Sequence, residues 1–153
     1  KVLSDNLNSM IKECGYPNSP ESRLNIDTLD VVVGGKFKKD QGKGYRAYLN
    51  TIMLFNLMKY LEENAIYAPH LLILDSPILS LKEKKHKITE KEKATPGMRE
   101  SLFKYIVNHY GKNQVIIAEN EIPEGVDYSF VNLIEYTTDE REGTYGFLKS
   151  VKN

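Results

Sequence analysis

The sequence predicts an α/β domain in which helices flank a sheet with parallel central strands. Two short apolar runs carry this prediction, residues 71–74 ahead of Asp75 and residues 114–118 ahead of Glu119. A continuous apolar run bounded by polar residues is typical of a strand that is buried on both faces. Segments with helical spacing precede both runs, and this alternation of helices with apolar strands indicates a parallel core.

The amino-terminal third predicts one helix, one loop and one strand. Residues 1–14 place apolar side chains at helical spacing, and the glycine and proline that follow predict the end of that helix. Residues 17–25 are rich in turn-forming types, so we expect a loop there. Residues 29–33 are largely β-branched and stop at a pair of glycines, which predicts a strand and then a turn.

The rest of the chain predicts two further helices and a closing pair of strands. The helix at residues 45–64 is apolar around most of its circumference, which indicates packing between other elements. A second helix runs from Pro96 to Gly111, where glycine is the expected stop. Closing strands are predicted at residues 131–136 and 144–148, joined by a polar turn.

Residues 82–93 form a charge run with six lysines and three glutamates. Such a run predicts a solvated helix or loop, and a contact with nucleic acid is the alternative.

The composition indicates which cellular compartment and which classes of partner to expect. The chain has 153 residues, which suits one domain, and its 21 basic side chains equal its 21 acidic ones. This balance gives no global charge that would favour nucleic acid or a membrane surface. A single cysteine, Cys14, excludes an internal disulfide and suits a reducing compartment. With no signal-peptide pattern and no apolar run of membrane-spanning length, the sequence predicts a cytoplasmic protein without a membrane partner.

Asp75 is the first candidate for chemistry. It ends an apolar strand, and open α/β sheets bind ligands at the carboxyl ends of their strands. In enzymes that handle nucleotide phosphates, an acid at this position holds Mg²⁺. The adjacent Ser76 is small enough to add a hydroxyl or water contact. The alternative is that Asp75 caps a turn that Ser76 and Pro77 begin.

A glycine-containing loop precedes the long helix. Gln41, Gly42, Lys43, Gly44 and Arg46 combine backbone amides at a helix amino terminus with two basic side chains, which suits a phosphate oxygen. The loop is not a P-loop, because neither the glycine spacing nor the residue after the lysine matches that motif. The alternative is a flexible start of the helix with solvated basic side chains.

Glu119, Asn120 and Glu121 end the second apolar strand. If that strand neighbours the strand of Asp75, these side chains reach the same edge of the sheet. A carboxylate there can accept a proton from an attacking water, and an asparagine can position that water. The alternative is a polar loop leaving the sheet.

In this order, the motifs resemble the carboxy-terminal half of an ABC-type ATPase head of the SMC and DNA-repair class. Residues 41–46 resemble the signature loop, residues 71–75 the Walker B strand, residues 76–81 the D-loop and residues 114–120 the switch strand. The resemblance covers residues 28–148. It implies the fold of half a P-loop NTPase head, completed by the closing strand pair.

The sequence departs from the family pattern in the signature loop and in catalysis. The family's Ser-Gly-Gly followed by Gln or Glu is Gln41-Gly42-Lys43-Gly44 here, and which glycine matches which stays open. Ser76 stands where the family carries its catalytic glutamate, and Asn120 falls at or beside the switch histidine. The resemblance therefore implies binding of Mg²⁺ and ATP through Asp75 more strongly than hydrolysis. Three alternatives stay open: Glu119 or Glu121 replaces the missing base, hydrolysis is slow, or the head binds nucleotide without turning it over.

The resemblance also implies partners. The family's Walker A motif, absent from this sequence, lies in an amino-terminal lobe beyond a long coiled coil. Residues 1–15 would then be the root of the coiled-coil arm, and residues 16–153 the carboxy-terminal ATPase lobe. The start at Lys1 instead of a methionine agrees with the expectation that this sequence is a piece of a longer polypeptide. The implied partners are the Walker A lobe, a second head and DNA in repair or defence. The second head would form a homodimer and present the loop at residues 42–46 across the interface.

Two alternatives belong to other classes of protein. The first is a non-catalytic dimerisation or scaffold module that keeps the same fold. The second is a free-standing α/β phosphotransferase or hydrolase that uses Asp75 as its metal ligand and binds substrate with this chain alone.

Overall fold

The chain folds into a mixed α/β structure of helices and small sheets. The structure is a computed structural model, and it describes residues 1–18, 20–79, 81, 97–139, 141 and 143–146. The helices are α1 (Val2–Glu13), α2 (Lys43–Asn64) and α3 (Met98–His109), with a short 3₁₀ helix at Lys38–Asp40. The strands are β1 (Ser22–Asn25), β2 (Asp30–Val33), β3 (Lys36–Phe37), β4 (Leu71–Asp75), β5 (Gln114–Ala118), β6 (Tyr136–Thr137) and β7 (Thr144–Tyr145).

Helix α1 ends where the sequence predicts. Gly15 adopts a left-handed φ of +75°, and the N–H groups of Gly15 and Tyr16 donate to the carbonyls of Lys12 and Ile11. This pair of bonds is a Schellman motif, which satisfies carbonyls at the helix end and favours glycine at the left-handed position. A Cβ atom at Gly15 would lie 3.1 Å from Ser101 Oγ, so the glycine also gives α3 room to approach.

Helix α2 packs between other elements, as its apolar circumference predicts. It contacts α1, β2 and β4, and it places Tyr48 and Phe55 in the centre of the core. The Tyr48 hydroxyl donates a hydrogen bond to the carbonyl of Cys14, so the polar end of this buried ring is paired. The core consists of Leu7, Met10, Ile11, Cys14, Val31, Val33, Tyr48, Leu49, Ile52, Phe55, Met58, Leu74, Ile78, Leu81, Met98, Leu102, Phe103, Ile106 and Val126. Neither α2 nor any other helix among the described residues is long and apolar enough to cross a bilayer.

The described strands form three separate sheets. In the first, β1 pairs with β2 and β2 with β3, all antiparallel. In the second, β4 and β5 run parallel, with Asp75 opposite Ala118. In the third, β6 and β7 run parallel. The two apolar runs are thus parallel strands, as the sequence predicts, although they form a sheet of two.

The sheet of β4 and β5 is covered on one face. Leu74 is buried, and Leu72 packs against the same core as the three helices. On the opposite face, Leu71, Ile73 and Ile116 are 44%, 64% and 45% exposed. The prediction that both apolar runs are buried on both faces is therefore wrong for this structure, because all three helices pack against the same core. We call the surface formed by Leu71, Ile73 and Ile116 the open face.

Two predictions of element position are wrong. Residues 17–25 were expected to form a loop, but β1 occupies Ser22–Asn25, because it pairs with β2 and because Ser22 N–H donates to Asn8 Oδ1 of α1 at 2.6 Å. A strand is expected at residues 131–136, but residues 131–135 form none, and β6 begins at Tyr136. The side chains in that segment are exposed, so no packing favours an extended strand there.

Three sequence predictions fall partly or wholly outside the described residues. The second closing strand is present as β7, and residues 147–148 of the predicted span lie outside the described part. The charge run at residues 82–93 and the predicted helix start at Pro96 lie outside it as well. The described part of that helix begins at Met98 after Gly97.

A polar network joins the end of α2 to the start of β4 and β5. The buried Asn113 donates through Nδ2 to Glu62 Oε2 at 2.7 Å and to the Tyr110 carbonyl at 2.9 Å, and its Oδ1 lies 3.1 Å from His70 Nδ1. Lys59 Nζ lies 3.1 Å from the same Glu62 oxygen. The hydrogen bond from Asn113, followed by that from Lys59, lowers the pKa of the Glu62 carboxyl. Because each of these bonds favours the charged form, the network is strongest when Glu62 is ionised.

Candidate functional site

The carboxyl ends of β4 and β5 form the candidate site. The register places Asp75 opposite Ala118, so Glu119 follows at the same edge of the sheet. This juxtaposition depends on the two strands being neighbours, and the structure shows that they are. The carboxyl edge of parallel strands is where α/β folds bind ligands.

The turn after Asp75 is tight and well anchored. Ser76 has a left-handed φ of +50°, a conformation that disfavours residues with a Cβ. Its N–H donates to the Ala118 carbonyl at 2.8 Å, and its Oγ donates to Asp75 Oδ1 at 2.8 Å. Pro77 and Ile78 are buried. The turn is therefore held by the end of β5 on one side and by the core on the other.

The Asp75 carboxylate is exposed beside this turn. Along β4 its side chain follows Leu71 and Ile73 on the open face, because side chains two residues apart point the same way. Within the described residues no ion pair involves Asp75. One oxygen accepts the serine hydroxyl, and an exposed carboxylate has further lone pairs for a cation or water.

Glu119 reaches across to the same turn. Its Oε2 accepts the N–H of Ile78 at 3.0 Å, and its Oε1 accepts the N–H of Asn120 at 3.0 Å. The residue is half-buried. Hydrogen bonds from N–H groups to a carboxylate are stronger than those between neutral groups, so Glu119 is a firm link between β5 and the turn.

Asn120 and Glu121 face outward from the strand end. Both residues are exposed, and Glu121 Oε2 lies 3.5 Å from Arg99 Nη2 on the first turn of α3. The Glu121 side chain is 81% exposed, so this ion pair is largely screened by solvent. Of the three predicted residues at this strand end, Glu119 is the one with a hydrogen bond to the described residues of the turn that follows Asp75.

A cleft of about 630 Å³ lies beside Glu121, between α3 and the loop that follows β5. Glu100 forms part of its wall and makes an ion pair of 2.5 Å with Lys104. Gly125 packs so closely that a Cβ atom there would lie 2.3 Å from Glu100 Oε1. This cleft was not predictable from the sequence, because its two walls are distant along the chain and no local motif marks them.

The oxygen atoms of Asp75 and Ser76 fit the chemistry of magnesium. In nucleotide sites Mg²⁺ takes one or two carboxylates and completes its shell with water and phosphate oxygens. An exposed carboxylate with a hydroxyl 2.8 Å away supplies oxygens of the required type. Over the ranges that the structure describes, no group of three or more His, Cys, Asp or Glu residues is arranged to hold a metal ion.

Helix α2 begins at Lys43, two residues before the predicted start, so Lys43, Gly44 and Arg46 lie in its first turn and residues 41–42 precede it. Gly42 is the N-cap in an extended conformation, and no side chain caps the helix. The first N–H groups of a helix have no partner within it, and Lys43 and Arg46 are exposed beside them, whereas Gly44 is buried. Gln41 is half-buried, and its N–H donates to the Lys38 carbonyl at 3.1 Å.

The structure brings together some of the predicted site residues and not others. Asp75, Ser76 and Glu119 are joined through one turn. For the described part of the chain, no hydrogen bond or ion pair connects this turn to residues 41–46 at the start of α2.

Comparisons with known proteins give no match. No protein-family model matches the chain, and neither the curated proteins nor the solved structures yield a significant similarity.

Proposed function

We propose that this chain is the carboxy-terminal lobe of an SMC-like ATP-binding head. The observation that carries the proposal is the pairing of β4 with β5, which puts Asp75 and Glu119 at one carboxyl edge. This is the order in which a Walker B strand and a switch strand stand in such heads. The finer assignment, half of a P-loop NTPase head, belongs to this proposal.

The open face supports a partner lobe. Parallel sheets occur almost only with both faces covered, and a sheet of two strands is too small to be independently stable. Here Ile73 and Ile116 stand opposite each other in the register and are 64% and 45% exposed. In the proposal, a lobe that carries the Walker A motif covers this face and supplies the amides and lysine that hold the ATP phosphates.

Asp75 and Ser76 are the proposed magnesium residues. A magnesium ion held there would supply positive charge that offsets the charge of the ATP phosphates. Asp75 contributes the carboxylate. Ser76 holds one carboxylate oxygen through its hydroxyl, which fixes the side chain in one orientation.

The segment at residues 41–46, which includes the first turn of α2, is the proposed contact to the nucleotide of a second head. Its basic side chains are exposed at a helix amino terminus, where backbone amides and the helix dipole favour a phosphate oxygen. The family resemblance assigns this segment to the interface of a homodimer of heads. DNA is the proposed partner of that dimer, on family resemblance alone.

Glu119, Asn120 and Glu121 are the proposed residues for positioning or activating the attacking water. A serine hydroxyl is too weak a base to replace a catalytic glutamate, so hydrolysis requires one of these neighbours. The exposed Glu121 and Asn120 are accessible to water at the strand end.

A non-catalytic scaffold is the second candidate. Ser76 in the position of the catalytic glutamate favours it, together with the engagement of both Glu119 oxygens by backbone N–H groups. The two candidates differ in whether Mg²⁺-ATP drives dimerisation of the heads and is then hydrolysed.

The test is Mg²⁺-ATP binding by the full-length protein beside its Asp75→Ala variant. Calorimetry is run with Mg²⁺ and with EDTA, and Asp27→Ala serves as the control, since Asp27 is an exposed acid in the loop between β1 and β2. We expect micromolar binding that loses its magnesium dependence only in Asp75→Ala. No binding by the intact protein would exclude the ATP-binding proposal. Binding with dimerisation but without turnover would favour the scaffold.

A further inference from the structure

The Glu119 carboxylate has a role in the turn after Asp75 that the sequence did not suggest. We infer that Glu119 is a positioning residue, which fixes this turn against the end of β5 so that Asp75 and both strand ends form one rigid unit. The ligand of this unit depends on the proposed function. The anchoring of the turn by Glu119 depends on the hydrogen bonds alone.

The turn needs such an anchor because its backbone is strained. Ser76 has a φ of +50°, and a proline follows it. A left-handed conformation is unfavourable for serine, and a following proline restricts the backbone further. Conformations of this kind persist only where their surroundings hold them in place.

The anchoring groups accept the N–H groups of Ser76 and Ile78, at the start of the turn. Ser76 N–H donates to the Ala118 carbonyl, Pro77 has no N–H, and Ile78 N–H donates to Glu119 Oε2 at 3.0 Å. Ile78 is 1% exposed. If the carboxylate is removed, the Ile78 N–H loses its partner where water cannot readily replace it, which is costly for a buried donor.

The second oxygen makes the anchor specific for a carboxylate. Glu119 Oε1 accepts the N–H of Asn120 at 3.0 Å. Glutamine has one acceptor oxygen and one NH₂ donor group in the positions of the two carboxylate oxygens. It therefore keeps one of the two hydrogen bonds, and at the other position two N–H donors face each other without an acceptor. A positioning role therefore predicts partial rescue by glutamine, whereas a general base loses its function equally in Glu119→Gln and Glu119→Ala.

Residue-resolved amide hydrogen exchange of the intact protein tests the anchor. We expect the Ile78 N–H to exchange at least about tenfold faster in Glu119→Ala, relative to the Phe55 amide, which reports the core. In Glu119→Gln, either the Ile78 or the Asn120 amide exchanges faster and the other keeps its rate. The exposed Glu124 provides the control, and Glu124→Ala is expected to leave both amides unchanged.

Unchanged exchange at Ile78 in Glu119→Ala would overturn the inference. If that variant does not fold, Glu119→Gln decides, and wild-type rates at both amides would overturn the inference equally.

Mg²⁺-ATP affinity and turnover of the same variants test what the anchor is for. We expect Glu119→Gln to lie between the wild type and Glu119→Ala in both quantities. Equal loss in both variants would overturn the positioning role in favour of a base. If the wild type binds no ATP, the proposed function fails, and the exchange rates alone decide whether Glu119 anchors the turn.

Discussion

Ile73 and Leu74 provide a paired test of whether a second layer covers the open face. They are neighbours on β4 and point to opposite faces of the sheet. Ile73 is 64% exposed and Leu74 is 5% exposed. If a Walker A lobe covers the open face of the intact protein, Ile73→Ala lowers the free energy of unfolding about as much as Leu74→Ala does.

The exposed fractions set the expected magnitudes. Truncating a fully buried leucine or isoleucine to alanine costs about 2–5 kcal/mol, and Leu74→Ala belongs in that range. With 64% of its surface exposed, Ile73 has about a third of that burial, which corresponds to roughly 1 kcal/mol. Covering the open face raises the cost of Ile73→Ala to about 2–5 kcal/mol.

The assay is reversible urea unfolding of the intact protein and its single variants. The m-value shows whether each variant unfolds with the same change in exposed surface. Ile116→Ala is a second probe, because Ile116 stands opposite Ile73 on the same face. A cost above about 2 kcal/mol for Leu74→Ala with one below about 1 kcal/mol for Ile73→Ala, at equal m-values, would refute the covering lobe.

Two further predictions concern titrating groups of the described core. Burial raises the pKa of the Cys14 thiol to about 12, so at about pH 8 the native protein should react with iodoacetamide roughly a thousandfold more slowly than the unfolded chain, by mass spectrometry. Equal rates would contradict the burial of that thiol. The pKa of Glu62 is lowered chiefly by the hydrogen bond from Asn113, so its stabilisation is present above the unfolded pKa and is lost as pH falls through the lower folded pKa. The Tm of the wild type should therefore fall more steeply on acidification than that of Glu62→Gln, and parallel curves would contradict this assignment.

Most helices and the two strands β4 and β5 could be predicted because their signals are local. The glycine after α1 permits the left-handed residue that ends the helix, and the apolar circumference of α2 follows from its contacts with several elements. Strands β4 and β5 could be recognised because each is a continuous apolar run with an acid at its carboxyl end. Each signal lies within a few residues of the element that it predicts.

The errors arose where distant residues determine the structure. Strand β1 lies in a turn-rich segment and is stabilised by β2 and by Asn8 of α1. The apolar segment at residues 131–135 has the composition of a strand and forms none. Strand formation depends on a partner more than on intrinsic preference, and a sequence does not state which partner is present.

The candidate site divides in the same way between local and distant causes. Simple periodicity and turn chemistry identify the features that belong to short segments. These are the acid at the end of β4, the acids after β5 and the helix that begins after a glycine. Tertiary packing determined the other features of the site. Asp75 lies opposite Ala118, and both oxygens of Glu119 accept backbone N–H groups. One face of the sheet is exposed. The physical reason is that residue type constrains the nearby backbone, whereas strand register and side-chain partners depend on contacts between segments far apart in the chain.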